Sequence, residues 1–223
     1  NIDKTNVADT VNNARGNKNS AAMWKTHYGH LLNSSTDNSM KCHVVDSLNC
    51  SDMVFDRFSI SDVIDAIGCL KSGKSTGLDD LYGEHFKYAD DKLAALLCIV
   101  FNAMIIHNYF PESMLDTIIV PLLKDKQGDI TDQDNYRPLA LTCVSSKVFE
   151  FLILLRYGHI LNTTPNQFGF KEKLSTDMCI FSLKQVVEYY KMYNSPVYLC
   201  YLDASKAFDK INHWHLFSKL IDR

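Results

Sequence analysis

The chain has 223 residues, of which 46% are apolar and 22% charged, the profile of a globular protein long enough to bury a core. We find neither a run of about 18 apolar residues nor a signal-peptide pattern, so we expect no membrane span and no secretion. The net charge of -3 argues against a chain that binds nucleic acid over its whole surface, so any such site must be local. The seven cysteines form no CxxC pair, which predicts reduced core residues of an intracellular protein, in the nucleus or outside it.

Residues 1–50 are polar apart from an apolar patch around Trp24 and Tyr28, which predicts a linker with one short docking helix. From Ser59 onward, apolar residues recur at helical spacing, and Ser59 with Asp62 fits a capping box. We therefore predict a helix that ends near Lys71, followed by a loop over residues 72–80.

The sequence pattern in the middle of the chain predicts a second buried helix over residues 93–104 and then a β-hairpin. Its strands, 117–123 and 136–142, each contain a proline, and the polar loop between them would form an exposed tip. Helices are predicted over residues 144–161 and 175–193.

Residues 197–202 form the clearest strand pattern, and Asp203 follows it directly. A helical pattern resumes with Ala207 and Phe208. An acidic residue between a strand and a helix is a common way to hold a divalent cation near phosphate, although an ordinary helix N-cap explains a single Asp equally well. The fold class is therefore α/β or α+β.

The string Tyr201-Leu-Asp-Ala-Ser-Lys-Ala-Phe-Asp209 resembles the first palm motif of reverse transcriptases. Earlier strings match the same family in the same order: Leu70-Lys-Ser-Gly-Lys-Ser-Thr-Gly-Leu-Asp79 with Glu84 and Lys87, Val120-Pro-Leu-Leu-Lys124, Asn135-Tyr-Arg-Pro-Leu-Ala-Leu-Thr142 with Lys147 and Glu150, and Gln167-Phe-Gly-Phe170 with Ser175-Thr176. Met23-Trp-Lys-Thr-His-Tyr is similar to the region before the polymerase. The chain thus resembles reverse transcriptases of non-LTR (LINE-type) retrotransposons, although Asp80 stands where the family usually has Gly, and Ala140 where Ser is commoner.

The resemblance implies a right-hand polymerase, with the linker and docking helix at 1–50, fingers at 51–195 and the start of the palm at 196–223. It implies template-directed nucleotidyl transfer with an RNA template, a DNA primer, deoxynucleoside triphosphates and two Mg²⁺ ions. Asp203 would be the catalytic metal ligand, assisted by the main-chain carbonyl of Ala204. Phe208 and Ala207 would contact the nucleotide, with the ring of Phe208 under the sugar.

Arg137 and Lys124 are the candidate triphosphate ligands. A guanidinium can bind a triphosphate through two parallel hydrogen bonds, and a lysine adds a point charge. Lys71 and Lys74 are candidates for template phosphate contacts. For each cation the alternative is a solvated surface charge.

Neither Tyr-x-Asp-Asp nor an equivalent aspartate pair follows Asp203 in these 223 residues. One carboxylate cannot hold two metal ions, so we expect this chain to be inactive alone. Both ends have the pattern of cuts in a longer polypeptide. A noncatalytic nucleic-acid-binding remnant and a purely structural relic are therefore alternative functions.

Two other patterns suggest different chemistry. Gly68-Cys-Leu-Lys-Ser-Gly-Lys-Ser75 satisfies the phosphate-binding loop pattern, so a P-loop NTPase is a further alternative. That loop must follow a strand and open a helix, whereas Gly68 falls within a predicted helix. Cys42, His43 and Cys50 could belong to a zinc site completed elsewhere, but surface residues of a linker explain them better.

Overall fold

The computed structural model describes residues 10–12, 14–15, 17–33, 38–49, 56–161, 163–204 and 206–222. The elements of these residues, in chain order, are β1 (Thr10–Val11), β2 (Ala14–Arg15), α1 (Asn17–Leu32), α2 (Asn38–Asn49), α3 (Ile60–Gly68), α4 (Gly83–Lys87), α5 (Asp91–Ile106), α6 (Glu112–Leu115), β3 (Thr117–Leu123), β4 (Tyr136–Thr142), α7 (Val144–Tyr157), α8 (Thr176–Met192) and α9 (His213–Ile221). The chain divides into two compact units, residues 1–157 with 208–223, and residues 158–207. The structure contains both helices and strands, which confirms the prediction of a mixed α and β class.

The core of the first unit lies between α3, α5 and α7. Its largest fully buried side chains are Val63, Phe101, Val148 and Leu152. The capping box that starts α3 is confirmed, because Asp62 N donates to Ser59 Oγ (3.2 Å) and Ser59 N donates to Asp62 Oδ2 (2.8 Å). The predicted loop after α3 is also present, although the helix ends at Gly68 rather than near Lys71.

The predicted hairpin forms with its strands in antiparallel register, and Pro121 lies opposite Pro138. Lys124 N donates to Asn135 O (2.8 Å) at the loop end of the ladder. Because pair types alternate along an antiparallel ladder, the two prolines occupy a pair that exchanges no hydrogen bonds. Neither proline therefore costs the hairpin a bond, and both remove donors from its outer edges.

The N-terminal region contains more structure than the predicted linker with one short helix. The helix around Trp24 is confirmed as α1, with 16 residues, but α2 adds 12 more. In α2, Val44 is buried, and Lys41 lies over the ring of Trp214 in α9 at 5.6 Å. Few residues of α2 are apolar, and the helix buries little else, so its composition resembles that of a linker.

In the second unit, α8 is confirmed, with Ser175 as the N-cap residue. The helix α7, which precedes this unit, ends at Tyr157 rather than Leu161 because Gly158 follows, and glycine is a poor helix former.

The prediction of a strand at 197–202 is wrong: these residues form no strand, and the side chains of Tyr198 and Leu202 are 91% and 94% exposed. A strand exists only by pairing, and the described strands pair solely within their own hairpins. The helix predicted directly after Asp203 is also wrong. Residues 206–210 form turns, and α9 begins at His213, where Asn212 is the N-cap residue.

The cysteines only partly match the predicted core role. Cys98 and Cys143 are buried, whereas the other four described cysteines (Cys42, Cys69, Cys179 and Cys200) are exposed. All six are free thiols. The described part of the chain contains no helix with the length and apolar character that a membrane crossing requires.

Candidate nucleotide and nucleic-acid interface

One face of the β3–β4 hairpin carries the two predicted triphosphate ligands. Arg137 lies opposite Leu122 in the ladder, and Lys124 is two residues beyond Leu122. Residues two apart share a face of a strand, and diagonal neighbours across an antiparallel pair lie about 7 to 8 Å apart. The structure therefore brings Lys124 and Arg137 together, and both are exposed.

The opposite face of the hairpin is covered by α1. Tyr136 is 4% exposed, and the ring of Trp24 packs edge-on against it at 5.1 Å while stacking on Tyr28 at 5.2 Å. Burial, together with the charge of Asp209 and the neighbouring Tyr136, raises the pKa of Tyr28 to about 12. This aromatic packing holds one face of the hairpin on the N-terminal helix and leaves Arg137 on the other.

Asn135 organises the tip of the hairpin next to Arg137. Its Oδ1 accepts from Asp125 N (3.1 Å), and its Nδ2 donates to Asp125 O (2.9 Å) and Asp129 O (3.1 Å). Sequence reasoning did not single out Asn135, because an asparagine in a polar loop is ordinary. Its place in the string Asn135-Tyr-Arg was the one available signal.

The loop that carries Lys71 and Lys74 is anchored on both sides. Gly73 N donates to Glu84 Oε1 at 2.6 Å, and this bond is the main reason that the pKa of Glu84 is lowered. At Gly77, an added Cβ would lie 2.6 Å from Cys143 N, so the loop touches the backbone between β4 and α7. Asp80 has φ +53°, which lies in the left-handed region that glycine adopts freely. This backbone conformation is a physical reason why the family that the chain resembles usually has Gly at this position.

The anchored loop forms one wall of a pocket of about 480 Å³. The other walls are β4 and α7. Four charged side chains line the pocket: Lys71, Lys74, Lys147 and Glu150. Leu139, Leu141 and Leu154 supply apolar lining, and Leu139 and Leu141 share the face of β4 that carries Arg137. Volume and lining are those of a small-ligand site with a few polar groups.

The same loop does not have the geometry of an NTPase phosphate loop. Gly68 is the last residue of α3, so a helix precedes the loop where a strand is required. The next helix, α4, begins at Gly83 rather than at Lys74 or Ser75. The prediction of helix before this motif is confirmed.

Asp203, Ala204 and Ala207 belong to the second unit, and all three are exposed. Phe208 belongs to the first unit and is 71% exposed. Among the described residues, no three His, Cys, Asp or Glu side chains form a group that could hold a metal ion, and Cys50 of the zinc alternative lies outside these residues. Mg²⁺ takes oxygen ligands in octahedral geometry. The carboxylate of Asp203 is an oxygen donor of the kind that Mg²⁺ takes, and the described residues place no group of further candidate ligands around it.

Several curated proteins are similar to most of this chain. It is 30% identical over 172 residues to the probable RNA-directed DNA polymerase from transposon X-element of Drosophila melanogaster, and 29% identical over 169 residues to the RNA-directed DNA polymerase from mobile element jockey of Drosophila funebris. Identity to the probable RNA-directed DNA polymerase from transposon BS of Drosophila melanogaster is 27% over 168 residues. The curated relatives of this chain are RNA-directed DNA polymerases of mobile elements. The matches cover 72 to 74% of this chain, which spans only 18% of these polymerases.

The predicted resemblance to non-LTR retrotransposon reverse transcriptases is thereby confirmed. No protein-family model matches the chain.

Proposed function

We propose that this chain is the fingers and the beginning of the palm of a retrotransposon RNA-directed DNA polymerase. The observation that carries the proposal is the similarity to such polymerases, together with the grouping of Lys124 and Arg137 on one hairpin face. The proposed domains are an N-terminal docking region at 1–50, fingers at 51–195 and the start of the palm at 196–223. The reaction is transfer of a deoxynucleotide to a primer 3′ end, directed by an RNA template, in an intracellular protein.

Asp203 and the carbonyl of Ala204 are the proposed ligands for Mg²⁺ at the start of the palm. Two bound Mg²⁺ ions supply stabilisation of the attacking and leaving oxygens in such transfers. Residues 197–202, of which all but the half-buried Val197 are exposed, would become a strand once neighbouring palm strands pair with them, which their exposure in this chain permits.

Arg137 and Lys124 would bind the triphosphate, because charge-assisted hydrogen bonds to phosphate are strong and the two cations share a face. Ala207 and Phe208 would lie beside the sugar. Lys71 and Lys74 would contact template phosphates from their anchored loop, whose geometry does not fit a P-loop NTPase.

The nucleotide role is tested by titrating the chain with a fluorescent analogue of dTTP in the presence of Mg²⁺. Saturable binding should weaken about tenfold or more in Arg137→Ala, a loss of about 1.4 kcal/mol or more. Lys92→Ala is the control, since Lys92 is an exposed lysine on α5 that pairs with Asp90. Binding unaffected by Arg137→Ala would overturn the assignment, and ATP binding abolished by Lys74→Ala would favour the P-loop NTPase.

Primer extension on a poly(rA) template with Mg²⁺ or Mn²⁺ separates a catalytic chain from a noncatalytic one. We expect no incorporation by these 223 residues alone, because Asp203 is the one carboxylate that the resemblance assigns to the metal ions here. Incorporation that disappears in Asp203→Ala would contradict the proposed inactivity. Salt-dependent binding to an RNA–DNA hybrid without incorporation agrees equally with a noncatalytic nucleic-acid-binding remnant.

A further inference from the structure

The helix α5 is apolar on its outer face as well as on the face that forms the core. The core face consists of its buried residues, which are Ala94, Cys98, Phe101 and Met104. The outer face, called the α5 face below, carries apolar residues spaced three and four apart, which are Leu96, Ile99, Val100, Ala103 and Ile106. The side chains of Leu96 and Ile99 are 58% and 67% exposed. A helix that is apolar on opposite faces is normally covered on both.

The α5 face has the shape of a surface that receives another helix. No charged residue stands between Leu96 and Ile106 in the sequence, and these residues span about 15 Å along the helix. A contiguous exposed apolar patch marks an interaction site on a protein surface. Side chains three and four residues apart form the ridges and grooves through which helices pack on each other. The α5 face therefore fits a partner helix.

The charges at the two ends of α5 complement each other when a second copy of the helix lies antiparallel to the first. Asp90 and Asp91 are at the N-terminal end, and His107 is the C-cap residue. Antiparallel pairing places the acidic end of each helix beside the imidazole of the other copy, which can donate a hydrogen bond to a carboxylate in either protonation state. Parallel pairing would bring the two acidic ends together, where like charges repel.

The side chains of the α5 face also match in size in the antiparallel orientation. When Ile99 faces Val100 of the second copy, the symmetry of the pair places Leu96 of each copy against Ala103 of the other. A large side chain opposite a small one lets two helices interdigitate. Tyr109, which is 64% exposed just beyond α5, then lies near the acidic end of the second copy, where its hydroxyl can donate to a carboxylate.

We propose that the α5 face is a homodimer interface, in which it packs antiparallel on the same face of a second copy about a twofold axis. The contact is isologous, so each copy gives and receives the same side chains. One pair of short helices buries less than the roughly 800 Å² per partner of a standard interface, so the dimer is weak, with a Kd on the order of 10 µM. The proposal does not depend on the polymerase assignment, because the α5 face contains no proposed nucleotide, template or metal ligand.

Sedimentation velocity of the 223-residue chain over about 1 to 100 µM brackets this Kd. The parent chain should pass from monomer to dimer over this range. Ile99→Asp should stay monomeric throughout, because it places an unpaired carboxylate at the centre of the interface. Phe181→Asp on α8 is the matched control, since Phe181 is 63% exposed, and this variant should dimerise as the parent chain does. Thermal denaturation of each variant checks that the fold is retained.

A charge pair tests the orientation of the two helices. Leu96→Glu and Ala103→Lys should each weaken the dimer about tenfold or more, because each places a single charge in the apolar interface. The double variant Leu96→Glu, Ala103→Lys should recover most of the parent affinity, since opposite charges then face each other between copies. Within one helix the two positions are about 10 Å apart, so the recovery reports a contact between copies.

A parent chain that stays monomeric up to about 100 µM would overturn the proposal. A dimer that Ile99→Asp leaves intact, or that Phe181→Asp abolishes, would overturn it as well, because association would then occur through another surface. If Ile99→Asp unfolds the chain, the charge pair decides: a double variant as weak as the single variants contradicts the antiparallel pairing. None of these results alters the nucleotide titration that tests the proposed function.

Discussion

Neighbouring residues of the hairpin take opposite roles because side chains alternate along a strand. Tyr136 is buried under Trp24, whereas Arg137 points to the other face and is exposed. The sequence could predict the hairpin that carries Arg137 and Lys124, because its strands are regular, and it proposes the two residues as phosphate ligands because their residue types suit phosphate. It could not predict that Lys147 lines the same pocket as Lys71, since that arrangement depends on how α7 packs. The roles of all the proposed site residues remain predictions: Lys71, Lys74, Lys124, Arg137, Asp203, Ala204, Ala207 and Phe208.

Tyr28 is buried as a ring but has no hydrogen-bond partner for its hydroxyl among the described residues. We predict that Tyr28→Phe leaves the free energy of unfolding near neutral pH unchanged or slightly higher, because it removes an unsatisfied buried group. Tyr28→Ala should lose about 3 to 5 kcal/mol, since it removes the packing on Trp24. Urea denaturation followed by circular dichroism measures both.

The raised pKa of Tyr28 also predicts that the folded chain loses stability at alkaline pH. The pKa of Tyr28 is about 12 in the fold against 10.0 ordinarily, so the folded chain keeps the proton over a range where the unfolded chain loses it. Stability from Tyr28 is thus complete below pH 10 and is lost as the pH rises toward 12. The loss over this range should be smaller in Tyr28→Phe than in the parent chain. Equal losses in the two proteins would show that Tyr28 ionises normally.

At the scale of elements, the sequence predicts the helices and strands that are stabilised by local interactions or by packing on an element next to them in the chain. The helices α3 and α5 have regular apolar spacing, and β3 and β4 pair with each other across the single loop that joins them. The prediction of a strand at 197–202 is wrong because the sequence pattern is that of a strand inside a sheet, and no described strand pairs with these residues. The sequence does not predict α2, because it is polar and gives no sign that this helix packs on α9.

Gly77 couples the loop of Lys71 and Lys74 to the hairpin. We predict that Gly77→Ala destabilises the fold by about 1 to 3 kcal/mol, because the added Cβ would overlap backbone atoms at Cys143 and Thr142. Gly68→Ala is the matched control: Gly68 ends α3 with open space around it, so the substitution should be neutral or stabilising by up to about 1 kcal/mol. Thermal denaturation compares the two variants. Equal midpoints would show that the loop does not depend on this close approach.

At the scale of the molecule, the two units differ in how much they bury. Residues 1–157 with 208–223 contain the core between α3, α5 and α7, whereas no described residue of 158–207 is buried. In α8, even the large side chains Phe181 and Tyr189 are more than half exposed. The large apolar side chains of α8 are therefore not covered by the described residues of the chain.

This difference predicts the pattern of amide hydrogen exchange. Amides in α5 are expected to exchange only through global unfolding, because Phe101 and Met104 lie in the core. Amides in α8 have no buried side chains to hold the helix, so they should exchange faster by on the order of a thousandfold, the equivalent of about 4 kcal/mol. Hydrogen exchange with mass spectrometry resolves both helices in one experiment, with β3 and β4 as a second protected reference. Protection of α8 equal to that of α5 would contradict the prediction, because it would mean that the side chains of α8 are covered in solution.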